Sequence, residues 1–508
     1  MKVNKHLILL TFIALKFFLQ YFLLGSEYDL HRDEYLHLDQ GSHLAWGYLS
    51  VPPLTSWTSF IIQLLGNSVF WVKFFPALYG ALTILVVWKT IETLRGNLFA
   101  LVLGASCVLF SALLRINMLY QPNSFDVLAW TTLYFTLVKW IDTENRKWLF
   151  ACAVVFAFGF LNKYNILFLL LGLFPALLLT PLRRVFLKSP LYVAIGIGVV
   201  LIAPNLVWQY NHGFPVVHHM QELSETQLEN VDRLDFLKNQ LLFFAGAVIV
   251  IVASFYALLF YRPFRPYRVF FYSIVFTLSA FLFFRAKDYY AIGLYPIYIA
   301  FGSVFLSAVL QEGWKRYLQP LLLLVPLLLF IPISEVAFPN KSPQYIVKHP
   351  ESYQKLGLLR WEDGKDHPLP QDFADMLGWK ELAQKVDRSY AALPDKELTL
   401  VLCDNYGQAG AINYYTKEKI RAVTFNADYL NWFDLSKNYR NVIRVKEAES
   451  AGGELRETGS FFETSSLSGV VANPYAREYG TAIFVFTGAK IDIRTRLKDE
   501  IEENKSAW

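Results

Sequence analysis

Two adjacent carboxylates, Asp33 and Glu34, stand in the polar segment His31-Arg32-Asp33-Glu34-Tyr35-Leu36-His37, directly after the first of many apolar stretches. Ionisable groups at the edge of a bilayer are costly and as a rule belong to a site. Neighbours on a helix diverge by about 100°. The two acids therefore have different jobs. One can accept a proton from a hydroxyl; the other can hold a partner, a metal or the geometry of the first. A base needs hydrogen-bond reach and some burial. The plain alternative is a pair of solvated loop charges, and further polar segments along the chain weigh against it. His37 follows Asp33 by four residues and Glu34 by three, so it shares a face with either. Asp39 and His43 repeat the four-residue spacing. Such pairs can ligate a divalent ion, the one candidate cofactor. More often they are ordinary helix-surface hydrogen bonds.

Lys163 and Lys287 are cations at the ends of apolar stretches, and Arg115 and Arg285 are placed to join them. A lipid-linked phosphate lies at that depth, and a point charge can neutralise it. Snorkelling to the interface is the competing use of any one such side chain. Trp208-Gln209-Tyr210-Asn211-His212-Gly213, with His218 and His219 beyond, combines rings and amides suited to stacking on and hydrogen-bonding a sugar. An interfacial aromatic belt explains it equally well.

These groups are carried by a membrane chain. Of its 508 residues 55% are hydrophobic and 17% aromatic, at a mean hydropathy of +0.33. The apolar excess lies in residues 1–338. A span needs about 20 mostly apolar residues. The candidates are 7–25, 69–88, 97–114, 124–141, 148–161, 165–180, 190–208, 239–261, 269–284, 289–310 and 318–335, about eleven. The first is too long and lacks the small-residue cleavage pattern of a signal peptide, so a retained anchor is expected; Lys16 within it must face the bundle or snorkel.

Basic residues cluster on alternate loops: Lys2 and Lys5, Lys89 and Arg95, Arg146 and Lys147, Arg183 and Arg184, Arg262 and Arg265, Lys315 and Arg316. That pattern puts the N-terminus inside. An odd number of spans puts the C-terminal part outside, and the expected home is the inner (plasma) membrane. These loops account for the net charge of +5, so nucleic acid is not an expected partner. Cys107 and Cys152 fall in spans and Cys403 is alone in the polar part, which excludes a disulfide there.

The unusual polar segments all fall on the outer side. Residues 26–68 are too long for a turn. Their first part suits a helix lying in the interface, Pro52-Pro53 breaks it, and 57–66 form a second surface helix or re-entrant piece. Four more follow: 115–126, with Tyr120, Gln121, Asn123 and Asp126; 162–165; 209–238; and 285–290, with Asp288 and Tyr289. Residues 339–508 change to mixed polar composition. A strand at 397–403, a helix from Asn405 through Tyr415, a strand at 483–486 and a charged helix at 492–505 predict a small α/β domain. The Gly407/Gly410 pair is a weak phosphate-loop signal beside a plain strand–helix turn.

These residues resemble a known family. Arg32-Asp33-Glu34-Tyr35, Gly47-Tyr48, Pro52-Pro53-Leu54, Gln121-Pro122-Asn123 with Asp126, Leu161-Asn162-Lys163 and Lys287-Asp288-Tyr289-Tyr290 with Leu294-Tyr295-Pro296 resemble the GT-C class of polyprenyl-phosphate-sugar-dependent glycosyltransferases. The nearest groups are bacterial relatives of dolichyl-phosphate-mannose–protein mannosyltransferases and of the lipid A aminoarabinose transferase. The resemblance spans about residues 1–335. It implies that Asp33 is the general base and that Lys163 and Lys287 approach the donor phosphate. Two positions depart: Ser50-Val51 stand where aminoarabinose transferases carry Glu-Lys, and Asn123 where relatives often carry Asp, with Asp126 a turn later.

The resulting expectation is a polytopic α-helical membrane protein with interfacial helices in the first outer loop: a transmembrane domain, 1–338, and an extracytoplasmic α/β domain, 339–508. It would move a sugar from a polyprenyl-phosphate carrier to an acceptor hydroxyl on a glycolipid, glycan or protein. Asp33 would activate the acceptor and Glu34 orient it. Lys163, Lys287, Arg115 and Arg285 would hold phosphate. His37, Tyr120, Gln121, Asn123, Asp126, Trp208, His212, Asp288 and Tyr289 would contact substrate. The rivals are a lipid-linked sugar flippase or transporter, a polysaccharide ligase or polymerase, and a non-catalytic assembly protein.

Overall fold

The computed structural model describes residues 4–226 and 231–506; Lys2 and residues 227–230 of the fourth outer segment lie outside the described residues. The chain forms two compact units. The first comprises Met1–Leu23, Val51–Thr55 and Phe70–Phe338; the second comprises Leu24–Ser50, Ser56–Val69 and Pro339–Trp508. The grouping departs from a single cut at 338. Most of the polar segment 24–69 belongs with the C-terminal residues because its helix packs against theirs.

The first unit is helical, and each apolar stretch of the sequence is helix. Among the described residues six helices are long and apolar enough to cross a bilayer, or eight if two bent pairs each count as one. The bent pairs are Ile166–Leu178 with Pro181–Leu187, at 105°, and Arg233–Phe243 with Ala245–Phe260, at 69°. Eleven full crossings are therefore not confirmed. Helix Leu98–Leu109 has 12 residues, about 18 Å at 1.5 Å per residue, well short of a hydrocarbon core of about 30 Å. Close approach is set by glycine at two crossings. A Cβ on Gly172 would overlap Thr277 Oγ1, and one on Gly302 would overlap the Val250 carbonyl.

Lys16 faces the bundle. It is buried, and its ammonium donates to Gln20 Oε1, whose amide in turn donates to the Asn117 carbonyl. Lys73, also buried, donates to the Met118 carbonyl at 2.9 Å. These contacts tie down the segment that leads to Tyr120 and Gln121.

The second unit has a five-stranded sheet of order β2-β1-β3-β5-β4, formed by β1 (Thr399–Cys403), β2 (Ala422–Thr424), β3 (Asn441–Lys446), β4 (Phe462–Val470) and β5 (Ala482–Ala489). β1 pairs parallel with β2 and β3, and β5 runs antiparallel between β3 and β4. Leu400, Val442, Phe484 and Phe486 pack with Ile493 and Leu497 of helix Ile493–Ser506.

Helix Arg32–Gln40 packs on helix Tyr406–Tyr415. The aromatic face expected at headgroup depth is covered by protein at Tyr35. Its Tyr35 is fully buried, with Trp379, Tyr414 and Tyr415 ring centroids 5.7, 5.8 and 5.9 Å away, so its apolar face is satisfied by protein. The next helix, Leu54–Leu64, keeps Phe60, Ile61 and Leu64 exposed and retains the character of a surface helix.

Candidate active site

In the second unit Asp33 sits one residue inside the helix Arg32–Gln40. His31 is the N-cap. Its Nδ1 accepts the Asp33 N–H at 3.2 Å, and Glu34 Oε2 accepts the His31 N–H at 2.7 Å, which closes a capping box. The two acids thus diverge as the helix geometry requires. Glu34 is completely buried and serves the helix end, whereas the Asp33 side chain is 34% exposed.

Asp33 Oδ1 accepts the Tyr406 hydroxyl at 2.7 Å, and His31 Nδ1 lies 3.8 Å from Oδ2. The Arg32 guanidinium stacks 4.7 Å from the Tyr406 ring centre. Burial pushes the Asp33 carboxyl up, but His31, Arg32 and the Tyr406 hydrogen bond outweigh it and hold it below its ordinary value. On its other side His31 Nε2 lies 3.7 Å from the buried Asp375 carboxylate. Arg477 pairs with the same carboxylate at 3.2 Å.

His37 lies one turn beyond Asp33. Its Nδ1 faces Gln40 Oε1 at 3.1 Å, and the Gln40 amide donates to Asp428 Oδ2 at 2.8 Å. Burial lowers the His37 pKa, so the ring is neutral. The Asp39–His43 spacing does not make a ligand pair. Asp39 Oδ2 accepts from Asn413 at 2.7 Å and from Tyr429 at 2.6 Å, while His43 Nδ1 faces the Asp39 backbone carbonyl and its ring stacks on Trp432. Among the described residues no three His, Cys, Asp or Glu side chains are placed to hold a metal ion together. Gly407 and Gly410 serve packing, not a phosphate loop: a Cβ on Gly410 would lie 2.7 Å from Tyr35 Cβ, and one on Gly407 3.3 Å from Arg32 Cβ.

In the first unit a second cluster forms where three of the polar connecting segments meet. Pro122 opens helix Pro122–Thr143 as its first residue, with Gln121 at the N-cap. Lys163, the C-cap of helix Lys147–Asn162, donates to Asn123 Oδ1 at 2.8 Å, and Asn123 donates to Gln121 Oε1 at 3.0 Å. Its ammonium stands 4.2 Å from the Tyr290 ring centre and 5.3 Å from that of Tyr289. Burial lowers Lys163 to about 8; Asp126 opposes the shift and Lys287 adds to it. Asn165 bridges the cluster, donating to Asp126 Oδ2 at 3.0 Å and to the Tyr290 carbonyl at 2.9 Å. Trp130 Nε1 donates to the other Asp126 oxygen at 2.9 Å.

The remaining candidates have plainer settings. Asp288 accepts from Asn239 at 2.6 Å and from the Tyr289 N–H at 2.7 Å. Tyr120 is buried and donates to the Thr55 carbonyl at 2.8 Å. Arg115 lies in the last turn of the short helix Ala112–Ile116, and Arg285 is exposed in a left-handed turn at φ 50°. Trp208 and His212 stack on each other at 4.1 Å, and His212 is exposed. Sequence reasoning missed Tyr406, Asn165 and Tyr290 as site residues. Asn165 shared the signal that singled out Lys163, an uncompensated polar group between two apolar helices. Tyr406 had no local signal.

Residues 50–208 match the family model for dolichyl-phosphate-mannose-protein mannosyltransferase. The match takes in Asn123, Asp126 and Lys163 and begins after Asp33. The chain is 26% identical over 202 residues to the lipid A galacturonosyltransferase RgtD of Rhizobium johnstonii, covering 39% of this chain and 42% of that protein. It thus spans less than half the length of that curated relative. The fold is that of ArnT from Cupriavidus metallidurans: the structure bound to undecaprenyl phosphate aligns at a TM-score of 0.61 and 14% identity, over 95% of this chain and 98% of that one. The same protein in its apo state aligns at 0.61 over 96% and 98%.

Proposed function

We propose that the chain is a multi-pass membrane glycosyltransferase that moves a sugar from a polyprenyl-phosphate carrier to an acceptor hydroxyl on the extracytoplasmic face. The observation that carries this reading is the cluster around Lys163. A half-buried ammonium beside the N-terminus of a 22-residue helix is a site for an anion: the helix end carries partial positive charge and the lysine supplies a full one. ArnT, whose fold the chain shares, has been solved with undecaprenyl phosphate bound, a ligand of that chemistry.

The acceptor oxygen attacks the anomeric carbon as the bond from that carbon to the phosphate oxygen breaks. The phosphate leaves with the electron pair, and Lys163, with Lys287, Arg115 and Arg285, neutralises the charge it gains. The hydroxyl proton passes to Asp33. A carboxylate held below its ordinary range is ionised at neutral pH and accepts that proton late, as the new bond forms. A single displacement inverts the anomeric carbon. Asn123, Asn165 and Tyr289 would orient the donor, and His37 the acceptor. Glu34 acts through the helix end that presents Asp33.

The test has two parts. Mass spectrometry of envelope glycolipids from cells with and without the gene gives the sugar as the lost mass and the acceptor as its location. Transfer is then measured in membranes supplied with undecaprenyl-phosphate-linked galacturonate, aminoarabinose or mannose. Asp33→Asn at normal expression is expected to abolish transfer, and full transfer by that variant overturns the base assignment. Movement of lipid-linked sugar without product would favour a flippase, and transfer only of oligosaccharides a ligase.

A further inference from the structure

We infer that Tyr406, in the C-terminal residues, is a positioning residue for Asp33, its phenol hydroxyl fixing one carboxylate oxygen so that the acid is presented ionised and in a single orientation. The inference rests on the reading of Asp33 as the proton acceptor.

Three observations carry it. The Tyr406 hydroxyl donates to Asp33 Oδ1 at 2.7 Å, within the range of a charge-assisted bond. Tyr406 itself is held: Asn405 caps its helix, accepting the Gln408 N–H at 3.0 Å, and Arg32 lies 4.7 Å over its ring. The other side of Asp33 is fixed from the same residues, since the buried Asp375 faces His31 at 3.7 Å and accepts from Arg477. A carboxylate on the first turn of a nine-residue helix would otherwise sample several rotamers. A donor aimed at its ionised form both selects one rotamer and favours charge.

Tyr406→Phe keeps the ring and its stacking on Arg32 and removes only the donor. The ionised form of Asp33 is then less favoured, so its pKa rises and the acid limb of kcat/KM moves to higher pH. Loss of one hydrogen bond to a charged group corresponds to a shift of about one to two pH units. The rate at the original midpoint falls about 5- to 50-fold, with donor KM unchanged. Replacing Tyr406 with 3-fluorotyrosine by codon suppression makes a stronger donor on an intact ring and moves the limb the other way. It serves where the Phe variant fails to fold. The assays use the full chain in membranes with whichever of the three undecaprenyl-phosphate sugars it transfers. Opposite shifts for the two variants, with Asp33→Asn inactive, support the inference. A limb unmoved by both overturns it and leaves the reading of Asp33 standing. Full activity in Asp33→Asn overturns the reading, and the inference with it.

Discussion

Replacing Lys163 tests the proposed donor-phosphate site most directly. With its pKa lowered to about 8, the ammonium is about nine-tenths charged at neutral pH and loses charge as the pH rises through 8. At 4 Å and an effective dielectric near 20, a unit charge attracts a phosphate charge by about 4 kcal/mol. Desolvation of both partners cancels part of this, leaving about 1.5–3 kcal/mol, the range for hydrogen bonds to charged groups. Lys163→Met is therefore expected to weaken binding of undecaprenyl phosphate about 10- to 100-fold. The assay is equilibrium binding of radiolabelled undecaprenyl phosphate to the purified full chain in nanodiscs, across neutral to alkaline pH. Wild-type affinity should fall above about pH 8, and the Met variant should show no such limb. Lys163→Arg should hold its affinity there, because a guanidinium stays charged. Met and wild-type proteins binding equally, with the same pH profile, would refute the reasoning.

Two further outcomes follow from the second unit. Gly410→Ala places a methyl 2.7 Å from Tyr35 Cβ and from the Tyr429 hydroxyl, so it should cost about 1–3 kcal/mol of stability, read as a drop in the unfolding temperature of the full chain in detergent. Asp39 is raised by burial to about 7, against the Asn413 and Tyr429 hydrogen bonds that oppose the shift. Its folded pKa lies above its unfolded one, so the proton it keeps stabilises the fold at low pH, and that contribution is lost as pH climbs from about 4 through 7. Asp39→Asn keeps an oxygen acceptor without the charge. It should raise the unfolding temperature by a few degrees near pH 8 and change it little near pH 4. The reverse order would show that the carboxylate is stabilised by its donors.

Much of the first unit was legible because a helix in lipid must be apolar over its length, and hydropathy reads length and composition directly. What it does not read is bending. Nothing in Leu179-Thr180-Pro181 alone gives a 105° turn between Ile166–Leu178 and Pro181–Leu187. In the second unit, the run Thr399–Cys403 was legible as a buried strand, and the run from Asn405 to Gly410 pointed to the helix after it, which Asn405 caps. The fate of the acidic doublet was half legible. A Glu three residues after a cap is a helix-start pattern, but His31 is not a usual cap, so Glu34 was read as chemistry. Tyr406 was illegible for a simpler reason: its partner Asp33 stands 373 positions away, and local patterning carries no information about such a pair. The same distance hid the burial of Tyr35, whose amphipathic surroundings look alike whether lipid or protein covers them.

The packing of helix Arg32–Gln40 on Tyr406–Tyr415 also sets a schedule for biosynthesis. Tyr35 donates to Tyr415 across 380 positions, so the nascent amino-terminal segment leaves the ribosome long before its partners exist. At 5–20 residues per second, the roughly 370 residues from the end of helix Arg32–Gln40 to Tyr406 take about 20–75 s to make. Throughout that wait Tyr35 and its apolar neighbours are uncovered and need the lipid surface or a chaperone. A product ending between residues 338 and 405 would contain every apolar helix and the aspartate itself, yet have no phenol to hold it.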